Sequence, residues 1–172
     1  AGELFDGWLA IFFSPEFAGE LTASIAVGRA KVGKTLEEFD IVPTVPVVIG
    51  DDLEACAAPL RAYAALYIGG MGSREQNFYN ALACRMGYAD AAAEVQEKYL
   101  AKDIPGAMAA VPFEFIDRTS LIGPAERIRD RLAAYADAGV TTLTVATYAA
   151  TLAERVMTLR TMADVVEEAG LA

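Results

Sequence analysis

A chain of 172 residues, 55% of them hydrophobic, is long enough and apolar enough to bury a core, which excludes intrinsic disorder. The formal net charge of −10 argues against a nucleic-acid groove, because phosphate contacts need clustered lysine and arginine. The sequence has no histidine, which excludes Ser-His-Asp and Cys-His catalysis and argues against a metal site of the zinc type.

The first strand–helix unit follows a short opening segment. Trp8–Phe13 is an uncharged run that predicts a strand. The sequence Ser-Pro-Glu at residues 14–16 predicts a helix start, with serine at the N-cap and proline at the first helical position. This helix is expected to end near Gly33, because glycine suits the left-handed position after a last turn.

The second strand–helix unit contains several prolines. Asp40–Ile49 reads as a strand, although Pro43 and Pro46 cannot donate to a sheet and such prolines normally lie at edges or bulges. Residues 50–52, Gly-Asp-Asp, predict the start of the next helix, with acidic side chains at its positive end. Pro59 is expected to kink this helix or to break it in two.

A helical excursion of about 50 residues, numbers 68–119, interrupts the strand–helix alternation. It opens with Ile68–Gly72, whose three glycines predict a flexible joint. The predicted helices of the excursion are Ser73–Met86, Asp90–Lys102, Pro105–Ala110 and Pro112–Asp117.

The last unit returns to the alternation. Gly123 is predicted at an N-cap and Pro124 at the first helical position, and Val140–Thr147 is an uncharged strand. A closing helix is predicted at residues 151–169. The apolar stripe of the helix that starts at Pro124 is Ile128, Leu132 and Tyr135. The stripe of the closing helix is Leu152, Val156, Leu159, Met162 and Val166.

The pattern predicts an α/β fold with three parallel strands, flanking helices and a helical insertion. A (β/α)₈ TIM barrel takes eight strands and about 250 residues, so three strands cannot close one. We therefore expect one partial-barrel domain over residues 1–172, the C-terminal part of such a barrel, with the insertion at about 68–119.

The cysteines and the hydropathy bear on the compartment. Cys56 and Cys84 lie among alanine and leucine in helical surroundings, which favours two reduced core thiols in a cytoplasmic protein over a disulfide. No uninterrupted apolar run approaches the length of a membrane span, and no signal peptide opens the sequence, so we expect no membrane partner.

Four runs of the chain resemble the luciferase-like monooxygenase family, particularly its deazaflavin-dependent oxidoreductases. Their order and spacing are similar to the last three strand–helix units of that family, so the resemblance covers essentially the whole chain. The runs are AGELFDGW at residues 1–8, PVVIGDD at 46–52, YIGGMGSREQNFYN at 67–80 and LIGPAERIRDRLAAYADAGVTTLTV at 121–145.

The resemblance implies a TIM barrel that uses coenzyme F420, or alternatively flavin mononucleotide, at the C-terminal face of its strands. It implies hydride transfer to or from a small organic substrate, with monooxygenase chemistry as the flavin alternative. The family's main ring-contacting residues lie on early strands that have no counterpart here, so no catalytic residue is carried over. We expect the segment to supply substrate-side walls, and the isolated 172 residues to be inactive.

The candidate cofactor-binding or substrate-side residues lie in the glycine-rich run and at the last strand end. Closely spaced glycines let backbone N–H groups approach a phosphate or substrate, and arginine can form a fork to an anion. The alternative for the run is a helix break followed by an ordinary N-cap. The candidates are Gly69, Gly70, Met71, Gly72, Arg74, Asn77 and Tyr148.

Association is the last expectation. The uncharged strands 8–13 and 140–147 would lack the opposite barrel wall, so we expect a homo-oligomer or pairing with the protein's own N-terminal half. A non-catalytic assembly fragment is the competing interpretation from a different class of function.

Overall fold

The structure is a computed structural model that describes residues 1–171, and these divide into two compact units. The sheet unit consists of residues 1–51 together with the chain from Arg118 onward. The helical unit is Asp52–Asp117 and therefore begins 16 residues before the insertion predicted at 68–119. Each unit is described by itself below.

Four strands and nine α-helices make up the described part of the chain. Short 3₁₀ turns at Pro15–Phe17 and Ala58–Leu60 precede α1 and α3, and a π turn at Cys84–Tyr88 joins α4 to α5. In chain order the elements are β1 (Gly7–Ile11), α1 (Ala18–Lys31), β2 (Asp40–Ile49), α2 (Leu53–Ala57), α3 (Arg61–Gly70), α4 (Phe78–Ala83), α5 (Ala89–Leu100), α6 (Ile104–Ala110), α7 (Phe113–Thr119), β3 (Leu121–Gly123), α8 (Ala125–Asp137), β4 (Thr144–Thr147) and α9 (Leu152–Glu168).

Strand β2 is the centre of a four-stranded parallel sheet, because every other strand pairs with it. Its first half pairs with β1, Thr44–Val47 pairs with β4, and Val47–Ile49 pairs with β3. The predicted α/β class with parallel strands and flanking helices is thereby confirmed. The three predicted strands are present, and β3 is an additional short one.

The start of α8 differs from the prediction. Gly123 pairs with Ile49 as the last residue of β3 and has φ 115°, a conformation that glycine alone adopts freely. The helix begins one residue later than predicted, with Pro124 in an extended conformation at the N-cap. The predicted N-cap at Gly123 is wrong because the sheet ladder runs through that residue.

The prolines of β2 fit a central strand because of the register. Pro43 is in register with Ala10 of β1 alone, and Pro46 is in register with Ala146 of β4 alone. Each proline therefore has a strand on one side only at its own position. Its missing N–H can face the other side, where no ladder bond is lost.

Two strands are shorter than predicted. Strand β1 stops at Ile11 because Phe12 has φ 54°, outside the extended region. Strand β4 starts at Thr144, four residues later than predicted, because the preceding Thr141 contacts the start of β2 through its side-chain hydroxyl. Its hydroxyl accepts from the N–H of Ile41 at 3.1 Å and replaces a backbone partner in the ladder.

The core of the sheet unit lies on one face of the sheet, where β2 residues such as Ile41, Val45 and Val47 pack with α1, α8 and α9. The predicted stripe of α8 is confirmed, since Ile128, Leu132 and Tyr135 are all buried. The stripe of α9 is wrong in its first half. Leu152, Val156 and Leu159 are exposed, whereas Met162 and Val165 are buried, because only the second half of α9 reaches the core cluster.

In the helical unit, the break predicted at Pro59 is confirmed as a 3₁₀ turn between α2 and α3. The flexible joint predicted at Ile68–Gly72 is wrong in its first three residues, which complete α3. Gly69 and Gly70 are needed there because α3 packs tightly on Tyr99 of α5. A Cβ at Gly69 would lie 2.5 Å from the Cβ of Tyr99.

The helix predicted from Ser73 begins at Phe78 instead. The side chain of Asn77 accepts from the N–H groups of Tyr79 and Asn80 and so caps α4. Ser73 only closes a turn, with its hydroxyl accepting from the N–H of Gln76 at 3.1 Å. Within residues 1–171 no helix is long and apolar enough to cross a membrane.

Replacing Gly69 by alanine is expected to lower the free energy of unfolding by about 1–3 kcal/mol, because the new methyl group overlaps Tyr99. The matched control is Gly19→Ala in α1, where a Cβ meets nothing within 4 Å and the change is expected to stabilise by about 0.5 kcal/mol. Urea unfolding of both variants gives the measurement. A Gly69→Ala protein as stable as the parent would show that α3 and α5 are not in close contact.

Candidate functional site

Strands β2, β3 and β4 bring three chain turns to one edge of the sheet unit, since these parallel strands end within two residues of one another in register. These turns begin at Gly50 after β2, at Pro124 after β3 and at Tyr148 after β4, whereas β1 ends five residues short of this edge, at the level of Thr44. In α/β barrels this edge carries the ligand. It is therefore the candidate site of the sheet unit.

A cavity of about 430 Å³ lies at this edge, beside Tyr148. It is lined by Val47–Ile49, by Tyr148–Ala150 and by the α9 side chains Glu154, Met157 and Thr158. The lining combines aliphatic surface with a phenol, a carboxylate and the side chains of two threonines, Thr158 and Thr161. Such a mixture and such a volume suit one small organic molecule or one end of a larger cofactor.

The carboxylate of Glu154 gives this cavity a negative charge. The pKa of Glu154 is lowered because its carboxylate accepts from the backbone N–H of Thr151, at 2.9 Å, and from the Thr151 hydroxyl, at 2.8 Å. Thr151 in turn caps α9, which makes a reciprocal capping box. An anion beside the cavity disfavours a phosphate there and favours a neutral group.

The turn after β1 is fixed by an ion pair. Arg131 of α8 donates to both carboxylate oxygens of Glu16, one of them at 3.0 Å, and the buried Ser14 hydroxyl donates to the same carboxylate at 2.6 Å. These bonds, with that of Arg131 first, lower the pKa of Glu16 to about 2. The carboxylate of Glu16 is therefore an anion throughout the physiological range.

The glycines of the predicted run have structural neighbours. A Cβ at Gly69 or Gly70 would meet Tyr99, and one at Gly72 would meet the carbonyl of Gln76. None of the three has a left-handed φ. Protein packing alone thus accounts for these glycines, and their predicted contact with a ligand stays a prediction.

Met71 and Arg74 are the exposed members of the run. Met71 is 47% exposed, and Arg74 is exposed and forms no hydrogen bond or ion pair with any residue of the described chain 1–171. An arginine without a carboxylate partner remains able to form a fork to an anion. These two side chains can take part in binding without breaking an existing contact.

Asn77 is committed to the fold. Its amide nitrogen donates to the carbonyls of Tyr67 and Ile68, and its oxygen accepts from Tyr79 and Asn80. Two donors and two acceptor positions are the full capacity of an amide side chain. A ligand contact by Asn77 would therefore need one of these four bonds to open.

A cluster of aromatic rings near this run was not predicted from the sequence. Tyr67 lies 4.6 Å from Tyr63 and 4.7 Å from Tyr79 between ring centroids, and Phe78 is 5.3 Å from Tyr79 and 62% exposed. Burial raises the pKa of Tyr79, and the neighbouring Tyr67 raises it further, so the phenol is neutral. The i, i+4 spacing of Tyr63 and Tyr67 was the available signal.

The seven predicted site residues fall into both units. Six of them, from Gly69 to Asn77, belong to the helical unit, and Tyr148 belongs to the sheet unit. Cys56 and Cys84 carry free thiols. Within residues 1–171, no group of three or more Cys, Asp or Glu side chains is placed to hold a metal ion.

A parallel sheet with helices on one face and a cavity at the C-terminal edge is the architecture of part of a (β/α)₈ barrel enzyme. Comparison with protein families agrees with this class. The model of the family described as luciferase-like monooxygenase matches residues 1–142, and the chain belongs to that family. The resemblance found in the sequence is thereby confirmed.

A curated relative from Mycobacterium tuberculosis (strain ATCC 25618 / H37Rv) carries the name "Putative coenzyme F420-dependent oxidoreductase". It is 37% identical over 147 residues, which are 84% of this chain and 42% of the relative. The matched residues thus span less than half the length of that relative.

Two solved structures share the fold. The coenzyme F420-dependent tetrahydromethanopterin reductase of Methanopyrus kandleri superposes with a TM-score of 0.68 at 21% identity, over 86% of this chain and 41% of its own. An F420-dependent secondary alcohol dehydrogenase in complex with an F420–acetone adduct gives 0.67 at 14% identity, over 96% of this chain and 44% of its own. At these identities the likeness concerns the fold.

The variant Asn77→Ala is expected to lower the free energy of unfolding by about 2 kcal/mol, because it removes a helix cap and the bonds to the carbonyls of Tyr67 and Ile68, of which Ile68 keeps a bond from Asn80. The control Ser73→Ala removes one exposed turn bond and is expected to change stability by less than about 0.5 kcal/mol. Chemical unfolding compares the two. Equal losses would contradict the structural role assigned to Asn77.

The ion pair of Glu16 is expected to make stability depend on pH. The pKa of Glu16 is lowered from 4.5 to about 2, so its contribution is complete above pH 4.5 and is lost as the pH falls through 2. Because the carboxylate is half exposed, we expect Glu16→Gln to cost only about 1 kcal/mol at pH 7 and less near pH 2. Thermal unfolding from pH 7 to pH 2 measures the difference, and a constant difference would disprove it.

Proposed function

We propose that the chain is the substrate-side part of a coenzyme F420-dependent oxidoreductase that transfers a hydride between the deazaflavin and a small organic substrate. The observation that carries the proposal is the 37% identity with the mycobacterial relative, whose name states F420 dependence. Both structural relatives are also named as F420-dependent enzymes. Flavin mononucleotide, the alternative considered from the sequence, is named in none of the three.

The cavity beside Tyr148 supports a role in holding a neutral part of the ligand. Its volume of about 430 Å³ and its aliphatic and aromatic lining fit a substrate or one edge of a planar ring. The Glu154 carboxylate argues against the phosphate-bearing tail of the cofactor at this place. When bound, the deazaflavin supplies the hydride chemistry, and the residues of this cavity exclude water and orient the substrate.

The glycine-rich run supports a second contact region on the helical unit. We assign the contacts to Met71 and Arg74 first, since both are exposed and Arg74 has no protein partner within residues 1–171. The backbone shape of this contact region would depend on Gly69, Gly70, Gly72 and Asn77. The proposed ligand group for Arg74 is an anion, such as a carboxylate or phosphate.

The proposed enzyme needs more protein than these 172 residues. Leu9 in the middle of β1 is 75% exposed, and Leu152 and Met157 on α9 are 78% and 64% exposed. Apolar side chains at these positions favour a further covering partner, which we propose to be the protein's own N-terminal half or a second copy. The two free thiols are consistent with a cytoplasmic location, which remains part of the proposal.

The test is cofactor binding by the natural protein expressed at full gene length. We expect coenzyme F420 to bind with micromolar or tighter affinity, flavin mononucleotide to bind more weakly, and the 172-residue chain alone to bind neither. Fluorescence titration measures all three, with absorbance as a check. Preferred binding of flavin mononucleotide would favour a flavin monooxygenase, and binding of neither cofactor would overturn the proposal.

A further inference from the structure

The α9 wall of the cavity beside Tyr148 carries three polar side chains on one face of the helix. Glu154, Thr158 and Thr161 are spaced at i, i+4 and i+7, and all three line the cavity. The β2 wall of the same cavity, residues Val47–Ile49, is aliphatic. A ligand in the cavity therefore meets both apolar surface and a row of hydrogen-bonding groups.

The bonds that these side chains already make decide what they can still offer a ligand. The hydroxyl of Thr158 donates to the backbone carbonyl of Glu154 at 3.0 Å, so towards a ligand it can only accept. The Glu154 carboxylate is also only an acceptor. Both bonds from Thr151 are accepted by its Oε2, which leaves acceptor capacity on Oε1. Two of the three groups on this wall are thus acceptors.

Thr161 supplies a donor on the same wall. It is half-buried, and its side chain forms no hydrogen bond with any residue of the described chain 1–171, so its hydroxyl can donate to a ligand without breaking a protein bond. Thr158 and Thr161 are three residues apart, and on a helix this places their Cβ atoms about 5–6 Å from each other. One hydroxyl group of a ligand can therefore donate to Thr158 and accept from Thr161, each at about 2.8 Å.

We propose that Thr158 and Thr161 are specificity-determining residues, which select a substrate that carries a hydroxyl group on an otherwise apolar body. This inference rests on the proposed F420 dependence and adds the chemical class of the substrate. A carbonyl group can accept from Thr161 but has no hydrogen to give to Thr158. A carboxylate group meets the like charge of Glu154. Both threonines act on the binding and orientation of the substrate.

The test uses the natural protein at full gene length and two probes that share a ring and differ in one group. Cyclohexanol donates and accepts, whereas cyclohexanone only accepts. Ligand-observed NMR titration of the cofactor-free protein, in which no turnover occurs, gives both dissociation constants. Cyclohexanol is expected to bind about three- to tenfold more tightly, which is the usual effect of one neutral hydrogen bond. Thr158→Val is expected to abolish this preference, and Thr161→Val to weaken both probes by a similar factor.

The matched control is Thr22→Val in α1, where the hydroxyl makes the same kind of bond, to the carbonyl of Ala18 at 3.0 Å, but does not line the cavity. This variant is expected to leave both probe constants unchanged.

Fluorescence titration of the same proteins with coenzyme F420 separates the substrate from the cofactor, since Thr158→Val is expected to bind F420 as the parent does. If the parent binds F420 but shows no preference for cyclohexanol, or if Thr158→Val keeps the preference, the inference is wrong and the proposed function stands. A loss of F420 affinity in Thr158→Val would show that this wall binds the cofactor, and the substrate assignment would be wrong. If the parent does not bind F420, the proposed function fails and the substrate assignment fails with it.

Discussion

The pairing of β2 with all three other strands is the constraint on which the sheet unit depends. Its ten residues set the register of β1, β4 and β3 in turn, and so place the ends of β3 and β4 beside its own C-terminal end. Two prolines in this strand are compatible with that role only because each has a single paired neighbour at its own position. A register shift of one residue would put a proline where β1 and β4 both pair, and would turn the core-facing side chains outward.

The features that the sequence predicted well are those decided by nearby residues. The apolar spacing of Ile128, Leu132 and Tyr135 fixed the buried face of α8, and Pro59 broke its helix because it lacks an N–H. The misplaced boundaries depend on partners that are distant in sequence. Strand β4 starts late because Thr141 bonds to Ile41, 100 residues away, and β3 exists because Val47–Ile49 offers a free edge there.

The candidate site shows the same division between features decided by nearby residues and features decided by distant ones. Three glycines in four residues predict that another group lies close to the backbone. At two of these glycines, Gly69 and Gly70, that group is the side chain of Tyr99. Sequence pattern cannot tell a ligand from a side chain about 30 residues away, because both need the same absence of a Cβ. Asparagine is a preferred N-cap residue, so the capping role of Asn77 has a local signal, but its bonds to the carbonyls of α3 have none because they depend on another helix.

The charges at the ligand edge limit what the sheet unit can bind. Glu154 lies there as an anion with a lowered pKa, bonded to the Thr151 hydroxyl at the start of α9. Arg155, which follows Glu154, donates from its Nε to the carbonyl of Ala149 at 2.9 Å. A cofactor with a phosphate-bearing tail needs cationic donors. We therefore infer that the part of this edge beside Glu154 receives the neutral ring or substrate and not the tail.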